Sequence, residues 1–188
     1  MPWYITRGSG IAALILLLLL LLGGIGHVTG WTYRYIEPVR AWLIHKWLGI
    51  MLGIMVTMHA GVLLIDTYLP FSLADLLVPF AKSYDNNSTL FGIDLSILAI
   101  PSGIIALYIG GWIMLTSLTR LREKKTLWRY SHWLSYLLIP LILIHVAFSG
   151  TEFKSGALRW LFVGFVLLLI VAVVARAQRR AKKSPRAS

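Results

Sequence analysis

Cysteine is absent from the 188 residues, which excludes disulfides, thiolate-bound metals, iron–sulfur clusters and covalently attached c-type haem. Acid is scarce: seven Asp and Glu stand against 18 Lys and Arg. Charge as a whole amounts to 13% of residues, about half the roughly 25% of soluble chains. With 58% apolar residues and a mean hydropathy of +0.77, a soluble domain of this size is excluded. A membrane span needs about 20 apolar residues, so about five spans consume most of the chain and leave only loops and a tail. No folded basic surface for nucleic acid can be built from that remainder, and the net charge of +11 reads as a membrane feature.

Apolar runs cover residues 10–25, 38–65, 91–118, 128–148 and 158–174. The first holds the leucine block 14–22 behind Arg7 and lacks an A-x-A cleavage pattern, so it reads as a retained span rather than a signal peptide. Pro38 suits the first turn of the second, which carries His45, Lys46 and His59 with Ala41, Gly49 and Gly53. The third is interrupted by Pro101, and the fourth opens Trp128-Arg129-Tyr130-Ser131-His132 with Pro140 inside it. Between the second and third, Leu73, Leu76, Leu77 and Phe80 predict a short amphipathic helix on the membrane surface. The expected fold is an all-α integral membrane bundle of about five transmembrane helices. It divides into a first helix and loop (1–37), a core (38–175) and a basic tail (176–188).

Positive charge sets the orientation. The connection 120–129 and the segment after residue 174 hold eleven of the 18 basic residues, so both are expected on the cytoplasmic side. The loop 66–89, with Asp66, Asp75 and Asp85 against Lys82, and the short loop 150–157 then face outward. That places the C-terminus in the cytoplasm and, by parity, the N-terminus outside, with Arg7 a small charge penalty. A bacterial inner membrane is the expected location.

Four of the five histidines form two pairs: His45 and His59, fourteen apart in the second run, and His132 and His145, thirteen apart in the fourth. Ionisable groups at membrane depth are costly and point to function. Imidazole at both axial positions is what a six-coordinate b haem requires. At about 1.5 Å per residue, the partners on one helix stand roughly 20 Å apart, two levels within one span. Both runs enter from the basic side, so His45 faces His132 and His59 faces His145, and each pair can clamp one haem iron, inner and outer. Zinc is excluded by the same separation, since its ligands converge within about 2.1 Å of one ion. The competing explanation is hydrogen-bonded helix contacts or a proton path. Fourteen residues at about 100° bring His59 to within about 40° of His45, whereas thirteen leave His145 about 140° from His132; Pro140 offers a kink between them. Gly49 and Gly53 lie on the His45 side, where a macrocycle can approach the backbone or another helix can pack. Arg40, Lys46 and Arg129 are candidates for inner haem propionates, and Lys82, Lys154 and Arg159 for outer ones. Asp94 is a candidate proton or charge donor near the outer pair, or a helix N-terminal residue. His27, without a partner, reads as an interfacial side chain.

Two helices with paired histidines at this spacing, joined through an intervening span and a basic loop, resemble the ferric reductase-like transmembrane domain. That family includes the haem cores of NADPH oxidases and iron reductases and the membrane partner of bacterial periplasmic methionine sulfoxide reductase. Trp128-Arg129-x-x-His132, His145 with the following Ser149-Gly150-Thr151-Glu152, and Leu77-Val78-Pro79 are similar to bacterial members. The resemblance covers residues 40–174. It implies two haems b, His45 and His132 holding the inner iron and His59 and His145 the outer, and single-electron transfer across the bilayer. Large members append flavin and nicotinamide domains, and only 14 residues follow Val174 here, so this chain is expected to bind neither cofactor. Its donor is then a separate flavoprotein or membrane quinol, the quinol route feeding a periplasmic oxidoreductase. Its acceptor is ferric iron, oxygen or a protein. A non-redox helical membrane protein with structural histidines is the reading of a different class.

Overall fold

The computed structural model describes residues 2–67, 70–82, 89–90, 93–149 and 156–183. Helix α1 (Pro2–Thr29) is apolar around its whole circumference and ends at Gly30, whose φ of +73° is the left-handed conformation that closes a helix without a Cβ clash. A 3-10 turn (Thr32–Arg34) leads to α2 (Pro38–Leu63), which has Pro38 at its start. Helix α3 (Leu73–Leu77) follows. Next comes a two-rung antiparallel ladder, β1 (Thr89–Leu90) against β2 (Ile93–Asp94), with Thr89 opposite Asp94. Then come α4 (Ser96–Leu118), a 3-10 turn (Arg120–Glu123), α5 (Lys125–Trp133), α6 (Ser135–Ser149) and α7 (Gly156–Lys183). Five segments are long and apolar enough to cross a membrane: α1, α2, α4, α5 with α6, and the 158–178 stretch of α7. The protein is an all-α integral membrane bundle.

The fourth span departs from the sequence reading. It crosses as one helical segment, Lys125–Ser149, with a one-residue turn at Leu134 between α5 and α6, and Pro140 lies six residues later inside α6. At the turn the Ser135 hydroxyl donates to the His132 carbonyl at 2.7 Å, satisfying an acceptor there. Helix α7 also runs on to Lys183, through a segment read from its charge as a tail, because Arg, Lys, Gln and Ala all favour helix.

Packing is organised as two helix pairs. Helix α1 lies antiparallel along α2, and α4 lies antiparallel along α5 and α6; the pairs meet more sparsely through α2 with α4, and α7 packs on α1. On α4, Ala99, Ser102 and Ala106 are buried at helical spacing, the small-residue face that lets membrane helices approach. Trp112 donates its indole N–H to the buried Ser131 hydroxyl at 3.0 Å, tying α4 to α5. Large apolar side chains such as Trp47, Ile54 and Val171 are half or more exposed, as a lipid-facing surface requires. Helix α3 begins with a reciprocal cap: Ser72 accepts from the Asp75 N–H while the Asp75 carboxylate accepts from the Ser72 N–H. Those Ser72 hydrogen bonds, and then the charge of Lys82, hold the Asp75 carboxyl below its ordinary pKa. Tyr108, in mid-α4, donates to the Leu77 carbonyl at 2.5 Å, so α3 rests on the flank of α4.

Candidate functional site

Membrane burial leaves few polar groups to place, and the histidines occupy two levels. At the end away from the basic loop, His59 of α2 turns its ring to α1. Its Nδ1 stands 2.9 Å from the Thr6 carbonyl, and the ring lies against Gly10, where a Cβ would stand 3.2 Å from Nδ1 and Cε1. His145 of α6 turns likewise to α4. Its Nδ1 is 2.7 Å from the Ala99 carbonyl, and a Cβ on Gly103 would intrude to 2.5 Å from Nδ1 and 2.7 Å from Cε1. A carbonyl only accepts, so both Nδ1 atoms carry the proton and both Nε2 atoms keep a bare lone pair. That is the tautomer a metal-binding imidazole needs, fixed by its second nitrogen. The two ring centroids lie 6.3 Å apart with their planes nearly perpendicular, at 84°.

At the basic end, His45 of α2 lies beside Gly23 and Gly24 of α1, whose Cβ atoms would stand 3.8 Å from Nδ1 and 3.4 Å from Cε1. Its buried Nδ1 has no hydrogen-bond partner among the described residues. His132, at the last turn of α5, places Nδ1 3.5 Å from the Ser117 hydroxyl, at the limit of a hydrogen bond, and its ring 4.6 Å from that of Trp128.

His27 departs from the reading as an unpartnered interfacial side chain. Its ring centroid is 5.5 Å from that of His45, its Nε2 is 3.1 Å from the Ala41 carbonyl, and its Nδ1 is 3.1 Å from the Tyr33 hydroxyl. The carbonyl must accept, so Nε2 donates and Tyr33 donates to Nδ1. With both nitrogens engaged, His27 braces α1 against α2 rather than offering a ligand.

The remaining sequence candidates scatter. Gly49 opens toward Leu20 of α1 at 3.9 Å, and Gly53 toward the Met114 thioether of α4, 2.6 Å from where a Cβ would stand. Arg40 is largely exposed and pairs with Glu37 at 3.4 Å. Arg129 lines a cavity of about 420 Å³ with Trp42, Arg122, Lys125 and Trp128, three cations and two indoles beside His132. Lys46 sits 5.7 Å from the centre of the Trp42 ring. Lys82 donates to the Pro70 carbonyl and lies over Phe71, far from either level in sequence. Arg159 is exposed at the start of α7, and the backbone of Asp94 belongs to β2. Lys154, Asp85 and the Gly150-Thr151-Glu152 words lie outside the described residues.

Thr6, Gly10, Gly24 and His27 of α1, with Ala99, Gly103 and Ser117 of α4, contact the histidines and were not singled out for that role from sequence. A signal was present. Gly10 and Gly24 are fourteen residues apart, as His45 and His59 are, and Gly103 and Ser117 repeat the interval. Among the described residues, no three His, Asp or Glu side chains converge on a metal-sized site; the histidines meet in twos.

Five apolar helices with histidines at two depths invite comparison with known membrane redox proteins. The sequence matches the family described as ferric reductase like transmembrane component over residues 9–143. The matched stretch begins inside α1, earlier than the resemblance drawn from sequence, and stops two residues short of His145. No individually curated protein matches the chain. Family domains of this kind usually bind haem and serve transmembrane electron transfer. The match spans well over half of the sequence, and the chain belongs to the ferric reductase-like transmembrane component family.

Proposed function

We propose that the protein carries single electrons across a bacterial inner membrane through two b haems, one between His45 and His132 and one between His59 and His145. The observation that carries this reading is the far-end pair. There the centroids of the His59 and His145 rings stand 6.3 Å apart, two imidazoles that together would hold one iron. Both rings come from different helices, both have Nδ1 committed to a carbonyl, and both keep Nε2 for a ligand bond. At the basic end, His45, whose buried Nδ1 has no hydrogen-bond partner among the described residues, and His132 at the last turn of α5 are the proposed second donor pair.

A haem held by two imidazoles supplies one-electron iron chemistry with no coordination position open to substrate. The protein's own part is to fix the imidazoles, to keep water out with apolar helices and to set charge at the two faces. Arg129, beside Trp128 and His132, is the proposed propionate partner at the basic end; Arg40 joins it on leaving Glu37. Gly49 and Gly53 are the proposed positions of close approach on α2, the latter once the flexible Met114 chain swings aside. The basic end is proposed to face the cytoplasm, with the C-terminus there, and to receive electrons from a separate flavoprotein. The acceptor, ferric iron, oxygen or a protein, is then met at the far face.

An absorption spectrum and haem assay of the purified protein test the reading. Two reducible haems b per chain, with Soret and α bands, are expected, and a chain without them refutes electron transfer in favour of structural histidines. Reduction by reduced flavin with a flavin reductase, but not by a quinol analogue, supports the flavoprotein route; the converse assigns the protein to quinol oxidation.

A further inference from the structure

Helices α1 and α4 present the far-end histidines with the same device. The acceptor carbonyl belongs to residue i, Thr6 or Ala99, and the glycine to residue i+4, Gly10 or Gly103. In an α-helix the carbonyl of residue i points up at the residue i+4 and already accepts its N–H. Here the same carbonyl also accepts the hydroxyl of residue i+3, Ser9 or Ser102, at 3.0 Å, and a side chain at i+4 would stand over the approach that remains. Glycine at that position opens the slot, and an imidazole enters flat against the backbone to donate Nδ1–H. At the basic level the contacts persist without the hydrogen bond: Gly24 lies against His45, while Nδ1 of His45 is unpartnered.

We propose that Gly10 and Gly103 are positioning residues for the far-end haem ligands, opening the Thr6 and Ala99 carbonyls so that each fixes the tautomer and direction of one imidazole. Helix α1 is thereby part of the haem-binding core, one wall of the cage with α4 as the other. The family match, which takes in α1 from residue 9, is independent of the hydrogen bonds and agrees with that role. The inference rests on the two-haem reading above.

The clearance at the two sites differs, so the test is graded. A Cβ at Gly103 meets the stiff His145 ring at 2.5 Å, well inside any real contact, whereas at Gly10 it meets His59 at 3.2 Å, relieved by a few tenths of an ångström. G103A is expected to lower the haem content from two per chain toward one, losing the haem that H145A also loses. G10A is expected to keep two haems while shifting the low-spin electron paramagnetic resonance signal of the far-end haem and raising its midpoint potential, because the weakened Nδ1 hydrogen bond makes the ligand less basic. The basic-end haem keeps its signal in both. Gly61 and Gly111 have nothing within 4 Å of a built Cβ, and G61A and G111A are expected to match the wild type. Wild-type protein lacking haem would overturn the function and leave this device without its object. Wild-type protein with two haems, joined to a G10A variant whose far-end signal and potential are unchanged, would overturn the positioning role alone, whether or not G103A folds.

Discussion

Haem counts in double variants discriminate the pairing across helices from every other assignment of four histidines. The levels are separated by fourteen residues on α2, about 21 Å at 1.5 Å per residue, so no imidazole of one level can stand in for a lost ligand at the other. Each single variant, H45A, H59A, H132A or H145A, is then expected to drop from two haems to one. The doubles split. H59A/H145A removes both ligands from one iron and is expected to retain one haem, the same as either single. H59A/H132A takes one ligand from each iron and is expected to retain none, and H45A/H145A likewise. Pyridine haemochrome stoichiometry on protein of verified monodispersity reads all of these, and the reduced α band should fall to about half in the first class and vanish in the second, a strong coupling within a level and none between levels. A cross-level double that keeps one haem, or a same-level double that loses both, would refute the pairing even if two haems were present in the wild type.

Other consequences are more local. W112F removes the indole donor to buried Ser131 and is expected to weaken α4–α5 association by about 0.6–1.7 kcal/mol, the range for hydrogen bonds between membrane helices, read as a shift in the detergent-unfolding midpoint with haem content unchanged. P140A is expected to keep both haems and the same helix content, because the turn between the two ligand levels lies at Leu134; loss of either haem would return the cause to the proline. The Asp75 carboxyl sits below its ordinary pKa, so its support of α3 is complete above the usual carboxylate range and is lost as pH falls through the depressed value. Amide exchange at Ser72 and Asp75, corrected for intrinsic rates, should therefore quicken on acidification in the wild type and show no such step in D75N.

The five spans were legible because lipid imposes length and composition, and the two histidine levels because imidazole is conspicuous among leucines. The turn in the fourth span was not. Leu134 and Ser135 carry no breaker signal, while Pro140 does, and a proline near a helix interruption draws the inference to itself. The extent of α7 was hidden for the opposite reason: basic residues mark the end of a membrane-crossing run without marking the end of a helix. Glycine misled in a subtler way. Gly49 and Gly53 stand out by lying on the same helix as His45, yet the glycines that touch imidazole rings are on α1 and α4, and a contact between helices leaves no local pattern in either. Only the shared interval of fourteen residues betrays it.

The shortage of acid accounts for the form of the ligand support. A metal-binding histidine usually donates its second N–H to a carboxylate, a carbonyl or water. A carboxylate at membrane depth costs several kcal/mol, and all seven Asp and Glu of this chain lie outside α1, α2, α4, α5, α6 and α7. Water finds few polar partners between apolar walls. The main-chain carbonyl is the acceptor that remains, neutral and already paid for by the helix that carries it. Such an acceptor cannot be brought to the histidine by a side chain; the histidine must come to the backbone, which requires that nothing stand over the carbonyl. On the proposed reading, glycine four residues on follows from having no acid in the spans, and the imidazole it admits would serve as a neutral ligand rather than being drawn toward imidazolate by a charged neighbour.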